Sequence, residues 1–247
     1  MPIFRVIPVL DILDSIAVHA KKGERAKYKP INLKLIQSTN PIEIVQYLKS
    51  ECKFKEFYLA DLDAIIKNKP NFEILLEILD IPDIRIMIDP GIRNKGDLLM
   101  FSKFKINKLI LGIETIESID VIKESLEIFG HNRIIVSIDM YKEKIISNNR
   151  VFKAQNCIQM VKKIEDVGVK EVILLDLFRV GQKIGGIPPL YTEIRKIFNG
   201  NLLIGGGIRN FEDLLMYKDL EFSGVLIATA LYDGSIDIEK VKEINLI

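Results

Sequence analysis

The sequence predicts an α/β fold, a (β/α)8 TIM barrel built from two repeated (βα)4 half-barrels, and three observations carry that prediction. The first is alternation: short β-rich apolar runs take turns with amphipathic helical stretches, the pattern of consecutive βα units on a parallel sheet. The second is an internal repeat. Ile88-Asp89-Pro90-Gly91-Ile92-Arg93-Asn94-Lys95-Gly96-Asp97-Leu98-Leu99-Met100-Phe101 recurs as Ile204-Gly205-Gly206-Gly207-Ile208-Arg209-Asn210-Phe211-Glu212-Asp213-Leu214-Leu215-Met216-Tyr217. The same offset pairs Leu109 to Thr115 with Val225 to Leu231, a near offset pairs Leu59-Ala60-Asp61-Leu62 with Leu174-Leu175-Asp176-Leu177, and Val9-Leu10-Asp11 answers Ser137-Ile138-Asp139. The third is size, since 247 residues holding eight βα units is the length of one such barrel.

Strands are expected near 4–10, 56–61, 84–89, 107–112, 133–139, 170–176, 201–205 and 223–228. Each is a nearly continuous apolar run, as a strand covered by helices on the outside of a barrel requires. Helices are expected after them at 41–51, 71–79, 95–103, 117–129, 153–167, 188–198, 211–219 and 237–243. The half-barrels divide near residue 130, and no Pro/Gly/Ser linker or charge run separates them, so 1–247 reads as one domain. A doubly wound sheet is the alternative for the same alternation.

Composition excludes several functions. Lys and Arg number 35 against 34 Asp and Glu, a formal net charge of +1, so no global field draws a nucleic acid to the surface. No apolar run approaches the roughly 20 residues needed to span a bilayer. Met1-Pro2-Ile3-Phe4-Arg5-Val6 shows no basic leader or cleavage site, which gives a cytoplasmic expectation. Cys52 and Cys157 are too few for a disulfide framework, and His19 and His131 stand beside neither cysteine, so no metal site is expected. No dinucleotide or Walker glycine motif appears, and no cofactor is expected.

In a barrel of this kind the chemistry lies at the carboxyl ends of the strands. Asp11 and Asp139 close strands one and five, which face each other across the barrel, an arrangement suited to paired acid and base work. The plainer reading makes them loop-capping aspartates. Asp61 and Asp176 form a second repeat-related pair at strands two and six; Asp176 is a catalytic candidate, although symmetric buried carboxylates often only pin loops. Gly205, Gly206 and Gly207 after strand seven, with Ala228 and Thr229 after strand eight, form the expected phosphate site between the last two loops. The first-half copy is altered: Asp89-Pro90-Gly91 replaces the three glycines and Ile113-Glu114 replaces Thr229-Ala230, so carboxylates stand where donors should be. The segment 12–35 carries Lys21, Lys22, Arg25, Lys27 and Lys29 and reads equally as a lid or a solvated charged loop. Gly185-Gly186 gives a further flexible element after strand six.

Ile7-Pro8-Val9-Leu10-Asp11, Ala60-Asp61-Leu62-Asp63-Ala64, Gly205 to Arg209 and Gly224 to Gly234 resemble the HisA and HisF family of histidine biosynthesis, over the whole chain. The resemblance implies a barrel enzyme acting on ribose phosphates, with its two principal catalytic aspartates at Asp11 and Asp139. It also implies substrate contacts from the strand-six loop at Arg179, Gly181 and Gln182. Departures from the family pattern are Ser15, Ile16 and His19 where Gly-Lys and a later Arg are usual, and Leu175-Asp176-Leu177-Phe178-Arg179-Val180-Gly181-Gln182 where the family motif resembles Thr-Asp-x-x-Arg-Asp-Gly-Thr. The expectation is an archaeal-type sister enzyme isomerising a phosphorylated aminoaldose or related sugar phosphate, the partner being a small phosphorylated substrate. A cyclase or lyase on the same scaffold, and a noncatalytic phosphate binder, are the alternatives.

Overall fold

Eight parallel strands close on themselves in the computed structural model, which describes residues 3–32 and 36–245. They are, in order, strand one Arg5–Leu13, two Glu56–Asp61, three Arg85–Asp89, four Lys108–Gly112, five Ile134–Tyr141, six Glu171–Asp176, seven Asn201–Gly205 and eight Gly224–Ile227. Each pairs with its sequence neighbours, and strand eight returns to strand one with Arg5 opposite Gly224 and Pro8 opposite Ile227. The (β/α)8 barrel expected from the repeat is the fold.

Helices lie between successive strands, with Asn40, Asn94, Ser118, Asn156 and Asn210 accepting backbone N–H groups at helix starts. The duplicated Arg-Asn segment is itself a capping device. Asn94 and Asn210 take nearly the same extended backbone, and the amides of Arg93 and Arg209 each donate to the aspartate four residues on, at 2.7 and 2.9 Å. Three expected boundaries differ. The helix expected at 153–167 starts later, as Cys157–Asp166, where Asn156 and Gln159 build a capping box, and a separate short helix, Arg150–Lys153, precedes it. Two short helices, Leu62–Lys67 and Thr229–Tyr232, follow strands two and eight directly. Strands one and five also run past their expected ends into hairpins, pairing with Ile16–His19 and Lys144–Ile145. The turns match: Asp14 and Ser15 sit at φ 51° and 64°, Lys142 and Glu143 at 51° and 65°, a primed two-residue turn in each half.

Strand alternation sorts the side chains into an inner and an outer set. Ile7, Tyr58, Met87, Ile110, Ile135, Ile173, Leu203 and Leu226, one from each strand, form the apolar cluster inside the barrel. The opposite faces join the larger core beneath the helices, where Leu10, Leu59, Ile138 and Leu174 are fully buried. Two residues below the inner layer, Arg5 pairs with Glu56 and Glu171, and Lys108 pairs with Glu171, closing the amino-terminal end with ions. Above the layer the barrel opens into the main cavity.

Candidate active site

The inner parity that places Ile7 and Ile135 in the barrel also places Asp11 and Asp139, four residues further along strands one and five, in the cavity above it. Asp89, two residues beyond Met87, joins them, and Glu114 follows strand four. Asp139 accepts a hydrogen bond from Ser137 Oγ at 2.7 Å. Asp89 accepts the Gly91 amide at 3.0 Å. Burial pushes the carboxyls of Asp11, Asp89 and Asp139 each up to about 7. Arg25 lowers all three, whereas Asp139 raises both Asp11 and Asp89 and Glu114 raises both Asp89 and Asp139. Carboxyls poised this way exchange protons near neutral pH.

Two residues of this site carry no sequence signal strong enough to single them out. Arg25 lies in the segment after strand one, which folds as a short antiparallel strand, a 3-10 turn and Lys29–Pro30 over the cavity mouth; residues 33–35 of that segment lie outside the described residues. Its guanidinium donates twice to Glu114, at 2.8 and 2.6 Å. Burial works against its charge, but the bonds to Glu114 outweigh that and keep it protonated. Tyr58 is 4% exposed and is the one inner-layer residue with a polar tip. Among the described residues nothing bonds its hydroxyl, which burial and the surrounding Asp89, Asp139, Asp11 and Glu114 hold well above its ordinary pKa, as a neutral donor.

At the other end Gly205, Gly206, Gly207, Ala228 and Thr229 line the same cavity. Gly206 and Gly207 have φ of 90° and 88°, and a Cβ there would come within 2.8 Å of the Asp176 carbonyl and 2.7 Å of Arg179 Nε. Only glycine fits, and the two amides make no hydrogen bond among the described residues, so both remain available to an anion. Thr229 Oγ1 is 2.8 Å from His19 Nε2, so the hairpin after strand one reaches this end. Lys183 lines it too, held by Asp233 and Ser235 at 2.7 and 2.8 Å.

Asp176, Arg179 and Gln182 are not among the residues that line the cavity. Asp176 has the outer parity of strand six, three residues from the inward Ile173, and accepts the amides of Phe178 at 3.0 Å and Lys142 at 3.3 Å. It pins the strand-six loop to the strand-five hairpin. Arg179 stands behind the glycines, donating to the carbonyls of Gly185 and Gly186 at 2.6 and 2.8 Å, with its buried Nε unpartnered beside Gly207. Those bonds also fasten the double glycine expected to be flexible. Gly181 does line the cavity, and a Cβ on it would meet the Ala20 carbonyl at 2.8 Å, where the loops after strands one and six touch. Asp61 repeats the outer parity of Asp176, accepting the amides of Ala64 and Asn71 and the Asn71 side chain at 2.7 to 3.0 Å. Among the described residues no group of His, Cys, Asp and Glu is arranged to hold a metal ion, and no helix is long and apolar enough to cross a membrane.

The profile described as histidine biosynthesis protein matches residues 5–237. The chain belongs to that family. It is 34% identical over 239 residues to an uncharacterized protein of Methanocaldococcus jannaschii, covering 96% of this chain and 97% of the relative. It is 31% identical to a Lactococcus lactis subsp. cremoris protein named 1-(5-phosphoribosyl)-5-((5-phosphoribosylamino)methylideneamino)imidazole-4-carboxamide isomerase, covering 95% and 94% of the two chains. A Caldicellulosiruptor saccharolyticus protein of the same name is 27% identical, covering 98% and 99%. Within the histidine biosynthesis family, then, the barrel that carries Asp11 and Asp139 here is similar along nearly its whole length to proteins named as isomerases.

Proposed function

We propose that the protein isomerises a phosphorylated aminoaldose to the corresponding aminoketose by acid–base catalysis. The observation that carries this reading is the pair of inward carboxyls on opposed strands, Asp11 and Asp139, both pushed to about 7 and sharing a cavity with an open pair of glycine amides. The substrate phosphate sits on Gly206 and Gly207, with Thr229 and Lys183 beside it, and Arg179 and Asp176 hold those glycines and the strand-six loop in position. Kinship with relatives named as isomerases supports the reaction class.

In the reaction Asp139 protonates the ring oxygen, the bond between that oxygen and carbon one breaks, and the amino nitrogen lone pair forms a carbon–nitrogen double bond. Asp11 then removes the proton from carbon two, and the released pair forms the double bond of an enolamine. Return of that proton to carbon one, with transfer of the carbon-two hydroxyl proton to Asp139, gives the ketose and restores both carboxyls. Arg25 offsets the charge of the acidic set during the exchange.

The test is turnover of the doubly phosphoribosylated aminoaldose for which the relatives are named, and of singly phosphorylated N-substituted ribosylamines, followed by NMR for the ketose. Ketose from at least one of these, abolished in Asp11→Asn and Asp139→Asn, is expected. Ketose formation undiminished in both variants would overturn the assignment.

A further inference from the structure

We propose that the substrate carries its phosphate at one end only, and that its other end, seated at strands three and four, is a hydrogen-bond-donating nitrogen group such as an amine or amidine. The proposal deepens the isomerase reading and rests on it.

The internal repeat supplies the comparison. In the second half, the residues after strands seven and eight leave two amides free and present no carboxylate to the cavity. In the first half the counterparts of those two amides are lost or used. Asp89 stands where Gly205 is, and its own carboxylate takes the Gly91 amide, the counterpart of Gly207. Pro90 replaces Gly206 and has no N–H. Glu114 replaces Ala230 and brings a second carboxylate to the mouth. The Thr115 hydroxyl is also used, bonding the carbonyls of Ile92 and Gly112 at 2.8 and 3.2 Å. An anion entering here meets acceptors, and among the described residues the one cation facing it, Arg25, is already held by both oxygens of Glu114. A phosphate could take Arg25 only by leaving Glu114 unpaired beside it, with Asp89 and Asp139 close by.

A second observation shows that this end is built for a ligand. The Tyr58 hydroxyl makes no hydrogen bond among the described residues and opens into the cavity among Asp11, Asp89, Asp139 and Glu114. In the repeat its counterpart is Ile173, which fills the same inner layer with no polar atom. Packing therefore does not call for the hydroxyl, which is left free to donate to a group in the cavity. Asp139 likewise has one oxygen on Ser137 and the other without a protein partner among the described residues. The floor thus offers one donor and several acceptors to a group that can both give and take hydrogen bonds, as an amine or amidine beside a sugar hydroxyl does. The relatives' named substrate carries two phosphoribosyl groups, and the first half of this barrel has lost the means to hold the second.

The test uses two series of matched, stepped chain length, ω-aminoalkyl phosphates and α,ω-alkyl bisphosphates, titrated calorimetrically into wild type, Thr229→Asp and Glu114→Ala. At the best length the aminoalkyl phosphate is expected to bind wild type about tenfold tighter than the bisphosphate. Thr229→Asp, which sets a carboxylate at the glycine end, should weaken both series. Glu114→Ala, which frees Arg25, should narrow or reverse the preference. A bisphosphate that binds wild type more tightly than its aminoalkyl partner, with Thr229→Asp weakening both, would overturn this inference and leave the isomerase reading standing. Affinities untouched by Thr229→Asp, or no binding by either series, would remove the phosphate site and both readings with it.

Discussion

The two halves of this barrel share their construction and differ in their chemistry. Each opens on a strand that runs into a primed hairpin turn, each buries an aspartate of outer parity to hold a loop, and each starts a helix with an Arg-Asn cap. These repeated features are scaffold, whereas the repeated Asp11 and Asp139 face the cavity. Where the halves diverge, at Asp89 against Gly205, at Glu114 against Ala230 and at Tyr58 against Ile173, at least one residue of each pair lines the cavity. Beyond the shared pair Asp11 and Asp139, the positions at which one copy no longer matches the other mark where the two ends of the cavity differ in chemistry.

The comparison breaks most visibly at the one pair of cavity carboxyls that both halves retain. Asp11→Asn and Asp139→Asn should each lower kcat by about 10²–10⁴-fold, the range for loss of a positioned acid or base, while inorganic phosphate still binds. Full kcat in both would move the chemistry elsewhere in the cavity. Wild-type kcat/KM should also be bell-shaped in pH with its maximum near neutrality, since both carboxyls lie at about 7 and one must be protonated while the other is not. A flat profile from pH 5 to 9 would contradict that.

The outer-parity pair should behave differently. Asp61→Ala strips three hydrogen bonds from the loop after strand two and should cost about 2 kcal/mol in denaturant unfolding with kcat nearly unchanged. A large kcat effect at unchanged stability would place Asp61 in the chemistry after all. Tyr58→Phe keeps the ring and removes only the hydroxyl without a counterpart in the second half; kcat/KM should fall about tenfold with no loss of stability. If stability drops and turnover does not, Tyr58 is core alone.

The smallest effect concerns Asp89. Its folded pKa, about 7, lies above the unfolded value near 3.8, so its contribution to stability is fully present below pH 4 and is lost as pH rises through 7. Asp89→Asn cannot ionise and should be more stable than wild type at pH 8, by about 1 kcal/mol or roughly 2–4 °C in Tm, with the difference shrinking at pH 5. A variant destabilised equally at both pH values would show instead that the charged form is well accommodated.

Much of this was legible in the chain itself. The apolar runs and the repeat locate all eight strands, and the match of Asp11 with Asp139 survives because both keep inner parity. Asp176 was not separable from them, since a strand covered on both faces is apolar throughout and gives no sign of which face an end residue takes. Register to the inner-layer residue, Ile173 for Asp176 and Ile7 for Asp11, is the signal that sorts them. Arg25 was one cation among five in a long segment, and only the hairpin that folds this segment back over the mouth sets it on Glu114. Tyr58 was hidden for the opposite reason, as an aromatic in the middle of an apolar strand.

The most direct test of the central claim uses a phosphorylated aminoaldose turned over by the protein, labelled with deuterium at carbon two and followed by NMR in ordinary water. The account predicts that the label leaves carbon two as ketose forms, with a primary isotope effect on the rate, and that in Asp11→Asn it stays in place while the ligand still binds. Ketose formed, and label lost from carbon two, as fast in Asp11→Asn as in wild type would contradict a reaction run by the two opposed aspartates.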